Sequence, residues 1–239
     1  MIRIAIILLT TLLFSCSLNE KKLTPTKRIS IKGELSAITY CPNYKEFVIV
    51  ADGGKVIFLD SNFNELRRDE IKAKDLEGAI CLRDEILIVD EEESILATYK
   101  IDKEKAKKKH YVELKKSGSK KNGYEGITYD SIAKQFILVI EDDPARLRYF
   151  DSNFKFLKEV DFKEANDLSD ILWHRGNLLL LSDLDERIFV VDNKLNIKKE
   201  WFFSIHNPEG LCIVNNQLIV VSDKEEALYV FDLPKIKSK

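Results

Sequence analysis

The sequence predicts an all-β fold, a five-bladed β-propeller built from four-stranded antiparallel blades. Two observations lead to this prediction. A short phrase recurs five times before an apolar strand, with its key residue at positions 36, 77, 125, 169 and 209. These positions lie 41, 48, 44 and 40 residues apart, and a period of this length with room for four strands is typical of a propeller blade.

The second strand of each repeat is a nearly continuous apolar run, such as FVIVAD (47–52) or LLLLSD (178–183). Such runs indicate burial on both faces, as expected where neighbouring blades pack on one another. Repeats one and two are predicted to have strands at 35–40, 47–52, 55–60, 66–71, 76–82, 85–90, 95–102 and 110–114. Repeats three and four have them at 124–130, 135–141, 146–151, 156–162, 168–173, 178–183, 187–192 and 197–203.

Repeat five supplies only three strands, at 208–214, 217–223 and 227–233. Residues 28–32 (RISIK) alternate as a strand does, and we expect them to fill the fourth place. This N-terminal strand would close the ring and cover sheet edges that otherwise invite aggregation. The propeller is therefore assigned to residues 28–234, and residues 235–239 form a basic C-terminal tail.

The first 15 residues predict an export signal. Arg3 precedes an apolar run of about eleven residues, a length that suits a signal peptide better than a membrane span. The run ends in LFSC (13–16), which resembles a bacterial lipobox. We expect cleavage before Cys16 and acylation of its thiol with palmitate-type chains, so that residues 16–27 become a lipidated tether to a membrane of the cell envelope. The alternative is an ordinary signal peptide with an incidental cysteine.

Three further cysteines follow, at Cys41, Cys81 and Cys212, and three thiols cannot all pair. Cys81 and Cys212 fall in the inner strands of non-adjacent repeats, which places them too far apart for a bond. We expect buried free thiols that act as small apolar side chains. The spacing of Cys and His residues does not match a zinc site.

Composition and motifs limit the possible functions. The net charge of −2 over 239 residues argues against a nucleic-acid binder, which usually has a basic excess. Motifs of hydrolases and of phosphate-binding loops are absent from the sequence, so no catalytic residue is assigned. The basic run 103–109 is expected to be a solvated loop, whereas Lys120 and Lys121 in 117–123 could pair with acids or hold an anionic ligand. A monomer is expected.

Acidic residues are predicted to meet on one face of the ring. In an up-and-down blade, the start of the first strand and the end of the second strand lie on the same face. The first strand is innermost, which brings these acids of the repeat phrase to the mouth of the central channel: Glu77, Glu125, Glu209 and Asp170. The acids that end the second strands would form its rim, although turn formation could also explain them: Asp52, Asp90, Glu141, Asp183 and Asp223.

Carboxylates this close repel one another, so they must either take up protons or hold a cation. A hard cation with oxygen ligands suits them, and an exported protein would more often meet Ca²⁺ than Mg²⁺. The alternative is structural: the glutamates could bond backbone amides of neighbouring blades and tie the ring together.

The phrases NGYEGITYD (122–130), DLSDILWH (167–174) and NPEGLCIV (207–214) together resemble the SdiA-regulated domain family of exported or membrane-anchored bacterial β-propellers. This resemblance covers about residues 30–233 and implies a propeller with calcium sites and no established enzyme activity. The chain is more distantly similar to gluconolactonase-type propellers, in which a channel metal supports lactone hydrolysis. That similarity would give Glu209, Glu125, Asn166 and Asp170 the role of metal ligands.

The sequence as a whole therefore predicts a lipid-anchored binding module of the envelope, stabilised by Ca²⁺ if the central acids are occupied. Its partner would be an envelope protein or a small polar ligand. The alternative function is a metal-dependent hydrolase of lactones or esters.

Overall fold

The computed structural model describes residues 22–101, 106–114 and 123–236. The predicted signal peptide, the predicted acylation site Cys16, Lys120, Lys121 and residues 237–239 of the tail lie outside these residues. In the described part of the chain, no helix is long and apolar enough to cross a membrane.

The described residues form twenty strands in five four-stranded antiparallel sheets, which are the five predicted blades. The closing strand is β1 (Lys27–Ser30). Blade one contains β2 (Leu35–Cys41), β3 (Glu46–Ala51), β4 (Lys55–Leu59) and β5 (Glu65–Glu70). Blade two contains β6 (Leu76–Leu82), β7 (Glu85–Asp90), β8 (Ile95–Lys100) and β9 (Lys107–Glu113).

Blade three contains β10 (Tyr124–Asp130), β11 (Gln135–Ile140), β12 (Ala145–Asp151) and β13 (Phe156–Phe162). Blade four contains β14 (Asp170–His174), β15 (Asn177–Ser182), β16 (Arg187–Val191) and β17 (Ile197–Phe202). Blade five contains β18 (Pro208–Val214), β19 (Gln217–Ser222) and β20 (Ala227–Asp232), with β1 as its outer strand.

The predicted ring closure is confirmed. Strand β1 pairs antiparallel with β20, with Lys27 opposite Val230 and Ser30 opposite Ala227. Contacts begin even before β1, because the N–H of Leu23 donates to the carbonyl of Phe202 at 2.6 Å and Leu23 packs between blades four and five. The last residues of the predicted tether therefore already lie against the propeller.

Five apolar clusters of described residues hold the ring together, one at each junction between neighbouring blades. The second strands supply much of this core. Val48, Ile49 and Val50 of β3 are fully buried, as are Leu179, Leu180 and Leu181 of β15. This confirms the burial on both faces that the continuous apolar runs predicted.

One predicted loop is wrong in part. Strand β9 begins at Lys107, three residues before the predicted start, so Lys107–Lys109 belong to a strand and not to a solvated loop. These lysines are exposed on the outermost strand of blade two. Their charge suits an edge position because lysines there oppose pairing with another chain.

The expectation of three free thiols is also wrong. Cys41 and Cys81 form a disulfide between the inner strands of blades one and two, with their Cα atoms 5.3 Å apart. Each lies near the end of its inner strand, so adjacent blades bring the two side chains face to face, within the range that a disulfide needs. Cys212 is free and buried, as predicted.

Candidate functional site

The inner strands turn one side chain of each repeat phrase toward the propeller axis. In four blades the pairing of the inner strand with the second strand shifts within the phrase, which marks a β-bulge. A bulge adds an unpaired residue and re-aims its side chain. The residues within these bulges that line the central cavity are Ser36, Glu77, Glu125 and Glu209, and Ser169 occupies the corresponding place in blade four.

The glycine after each of these glutamates lets neighbouring inner strands approach closely. A Cβ atom on Gly78 would lie 2.6 Å from the carbonyl oxygen of Glu125, and one on Gly210 would lie 2.7 Å from the Cα of Ala37. No side chain fits in these gaps. The glycines therefore bring the acidic side chains together at a narrow axis.

The site is a cavity of about 230 Å³ at the mouth of the channel. Of the described residues that line it, ten are acidic and none is Lys, Arg or His. The acidic residues are Glu34, Asp52, Glu77, Glu91, Glu125, Glu141, Asp167, Asp183, Glu209 and Asp223. Ser36, Leu168 and Ser169 complete the lining.

The structure thus brings together seven of the nine acids singled out from the sequence. It does not place Asp170 in the cavity lining. Asp170 stands one residue beyond the bulge position, where its side chain meets the neighbouring strand, because successive residues of a strand point to opposite sides. Its Oδ1 accepts the N–H of Ile171 at 2.7 Å and its Oδ2 accepts the N–H of Leu211 at 2.8 Å.

Asp90 is also absent from the cavity lining. It ends β7, and its Oδ1 accepts the N–H of Glu93 in the following turn at 3.3 Å. The next residue, Glu91, reaches the cavity instead. For Asp90 the structure therefore agrees with the turn role that the sequence left open.

Sequence reasoning missed Glu34, Asp167 and Asp75, although a signal was present. Each directly precedes a repeat phrase, at Leu35, Leu168 and Leu76 respectively. Glu34 and Asp167 line the cavity. Asp75 lies beside it, where one carboxylate oxygen from each of Asp52, Asp75 and Glu77 falls within 4.8 Å of the others. Two ligands of a Ca²⁺ ion, each ~2.4 Å from it, are at most ~4.8 Å apart, so these three groups could share one cation.

Burial and mutual repulsion raise the pKa values of the cavity acids. Burial is the main cause for Glu209, whose pKa rises to about 8 with a further contribution from the charge of Asp183. The pKa of Asp52 rises to about 6, through burial and then through the charge of Asp75. Burial and then neighbouring carboxylates also raise the pKa values of Glu77 and Glu125.

Comparisons with known proteins identify the family and the fold. The family model described as SdiA-regulated matches residues 14–234. Among solved structures, the glutaminyl cyclase of Myxococcus xanthus superposes with a TM-score of 0.70 at 9% identity, over 90% of this chain and 100% of that one. Hydrazine synthase of Kuenenia stuttgartiensis gives 0.50 at 11% identity, over 78% of this chain and 55% of that one.

BamB from Moraxella catarrhalis gives a TM-score of 0.45 at 10% identity, over 92% of this chain and 100% of that one. A search of curated proteins found no match. At these identities the solved structures show a shared fold alone. The family match covers the whole propeller, and the chain belongs to the SdiA-regulated family.

Proposed function

We propose that this protein is an exported binding module of the cell envelope whose central acidic cavity takes up a hard cation, with Ca²⁺ as the expected ion. The observation that carries this proposal is a cavity of about 230 Å³ at the mouth of the channel, whose described lining includes ten carboxyl groups. A small polar ligand or an envelope protein would then bind at this face, where a bound cation can coordinate oxygen atoms of the partner.

The chemistry of the lining supports a cation. Two carboxylates ~4 Å apart repel by up to ~4 kcal/mol at an effective dielectric constant of ~20. Protonation relieves this repulsion, which adds to the effect of burial in raising the pKa values of Asp52 and Glu209. A divalent cation relieves it too, and Asp52, Asp75 and Glu77 are already arranged to supply its first ligands. The hydroxyl of Ser36 donates to Asp52 at 3.3 Å, which orients that carboxylate.

The proposed compartment has one independent support. Disulfides persist in exported proteins and are rare in the cytosol, so the Cys41–Cys81 bond fits an oxidising environment. The lipid anchor at Cys16 remains a separate proposal. Wild-type protein should incorporate a palmitate analogue and sediment with membranes, and Cys16→Ala should do neither. A wild-type protein that stays soluble and unlabelled would refute the anchor.

A Ca²⁺ titration of chelator-stripped protein tests the cation proposal. Binding to the folded state alone stabilises it by RT ln(1 + [L]/Kd), about 2.7 kcal/mol at a hundredfold excess over Kd. Millimolar Ca²⁺ should therefore raise Tm by several degrees. Glu77→Gln and Asp75→Asn should abolish this rise, because each keeps the shape of the side chain and removes its charge.

Two further variants and a control locate the ion. If Glu125→Gln and Glu209→Gln also abolish the rise, the ion lies on the axis; if they do not, it lies at the junction of blades one and two. Asp161→Asn, an exposed acid on β13, should leave the rise unchanged. Stripped protein whose Tm responds to neither Ca²⁺ nor Mg²⁺ would rule the cation out.

A metal-dependent lactone or ester hydrolase is the second candidate, because two cavity acids have pKa values on either side of neutrality. At pH 7 the Asp52 carboxyl, with a pKa of about 6, is mostly ionised, and that of Glu209, with a pKa of about 8, is mostly protonated. Such a pair can supply a general base and a general acid. Turnover of a lactone and ester panel with Ca²⁺, lost in Glu209→Gln, would support it. If the protein binds no cation, both the cation-binding module and the metal-dependent hydrolase are ruled out.

A further inference from the structure

A second cleft, of about 620 Å³, opens on the face opposite the acidic cavity, between blades four and five. The turn between β14 and β15 supplies Arg175 to its lining, and the turn between β18 and β19 supplies Asn216. The segment that follows β20 forms the remaining wall. Its volume is in the range of ordinary small-molecule sites, ~300–1,000 Å³.

Hydrogen bonds fix the walls of this cleft. The N–H of Leu233 donates to the carbonyl of Asn216 at 3.0 Å, and the Nζ of Lys199 donates to the carbonyl of Lys235 at 2.6 Å. These two bonds hold the segment after β20 against blade five and blade four respectively. Both walls of the cleft are therefore fixed by hydrogen bonds to strands or turns of the propeller.

The lining of the cleft is basic where the central cavity is acidic. Arg175 and Lys235 contribute cationic groups, and no Asp or Glu occurs among the described residues that line it. Asn177 adds a polar group, whose Oδ1 accepts from the Nζ of Lys198 at 3.1 Å. A group bound here would thus meet positive charge, with no competing carboxylate among the described residues of the lining.

His174 provides a separate observation that points to a ligand. It lines the cleft, and its Nε2 atom is shielded from solvent and has no hydrogen-bond partner among the described residues. Burial and the charge of Arg175 lower the pKa of His174, so the ring is neutral at pH 7. A shielded polar atom without a partner is unfavourable, and a polar group of a ligand bound in the cleft would supply that partner.

The other side of the cleft is apolar. Leu233, Pro234 and Ile236 line it, and Leu233 and Ile236 pack against the cluster between blades four and five. We propose that the cleft binds an anionic amphiphile, a phosphate monoester or carboxylate that carries an alkyl chain. The head group would lie at Arg175 and Lys235, and the chain would lie along Leu233 and Ile236. This proposal is independent of the cation site.

Calorimetric titration with dodecyl phosphate below its micellar concentration tests the proposal. Arg175→Gln and Lys235→Gln should each weaken binding about tenfold, the effect of losing one charge-assisted hydrogen bond. The matched control is Arg83→Gln, an exposed arginine with φ +61° at the equivalent turn of blade two, against +49° for Arg175. It should bind as the wild type does. Shortening the alkyl chain should weaken binding by up to about fourfold for each buried methylene removed.

A second experiment distinguishes a membrane lipid from a free amphiphile as the source of the ligand. Full-length Cys16→Ala protein, with and without the Arg175→Gln/Lys235→Gln pair, is mixed with vesicles of phosphatidylglycerol or of phosphatidylcholine. If the protein co-sediments with phosphatidylglycerol vesicles and the double substitution abolishes this, the ligand is a membrane lipid. If the protein binds dodecyl phosphate but does not co-sediment with these vesicles, the ligand is a free amphiphile. If dodecyl phosphate does not bind, or binds the folded double variant as tightly as the wild type, the proposal is wrong.

Discussion

The carboxylate of Asp170 bonds two neighbouring blades, since its Oδ2 accepts the backbone N–H of Leu211 at 2.8 Å. Thr39 and Thr128 make the same kind of bond at other junctions, accepting the N–H of Cys81 at 3.1 Å and of Trp173 at 2.7 Å. The inner strands are thus joined by side-chain acceptors where no sheet ladder connects the blades. The sequence left open a structural role for the central glutamates, in which a carboxylate accepts backbone N–H groups of a neighbouring blade. In blade four, Asp170 has this role.

Asp170→Asn should destabilise the protein by about 1–3 kcal/mol. Its two oxygens accept from two different N–H groups, and the amide that replaces one of them leaves a buried donor without a partner. Urea unfolding measures the loss. Asp161→Asn, on the exposed face of β13, should change the free energy of unfolding by less than about 0.5 kcal/mol. Equal stability of both variants would contradict the bond.

Gly78→Ala should cost about 2–3 kcal/mol, because its Cβ would lie 2.6 Å from the backbone oxygen of Glu125 and force two inner strands apart. Gly176→Ala is the control for the loss of glycine alone. Its turn has φ +78° and nothing within 4 Å of the added Cβ, so it should cost only about 1 kcal/mol of backbone strain. Thermal unfolding of the two variants should separate them, and similar losses would mean that the strands have room to move.

Removing the Cys41–Cys81 disulfide should lower the free energy of unfolding by about 4 kcal/mol, according to the chain-entropy model for a separation of 40 residues. The double variant Cys41→Ala/Cys81→Ala should show this loss and no further response to dithiothreitol. Cys212→Ala should respond to dithiothreitol as the wild type does, because its thiol is free. A wild-type protein whose denaturation curve ignores the reductant would argue against the bond.

The stability of chelator-stripped protein should fall as pH rises from about 4 to about 8. The pKa values of Asp52 and Glu209 are raised to about 6 and about 8, so in this range the folded state binds more protons than the unfolded state. Stability then decreases with pH. Urea unfolding at pH 5 and pH 8 should show the decrease, and Glu209→Gln should reduce it. Stability that rises over this interval would mean that a favourable partner keeps these acids ionised.

The period of the repeat phrase was enough to predict the five blades and the closing strand, because each blade repeats the same strand pattern. The period was not enough to predict which of Ser169 and Asp170 points toward the axis. Which of these adjacent residues faces the axis depends on the local register of β14 against β15, which the phrase alone does not reveal. The sequence placed the acids on the correct face but could not resolve their final direction.

The cysteine pairing was missed for a related reason. Cys41 and Cys81 are neighbours only across the junction of two blades, and the repeat period alone does not show that the two positions face each other there. Glu34 and Asp167 were also not predicted as cavity residues, for a different reason. Their signal, an acid directly before the phrase, was visible in the sequence but was not counted as part of the repeat. An inspection of each repeat that includes its preceding residue would have found both cavity acids.

The pairing of β1 with β20 has a consequence for the order in which the molecule is made. Strand β1 is synthesised before every blade, yet its partner is the last strand of the ring. Blades one to four can form as they emerge, but the ring stays an open arc until Asp232 has been added. Circular closure therefore cannot precede the synthesis of β20. A closed ring therefore shows that β20 has been translated, because a chain that stops before β20 leaves β1 without a partner strand.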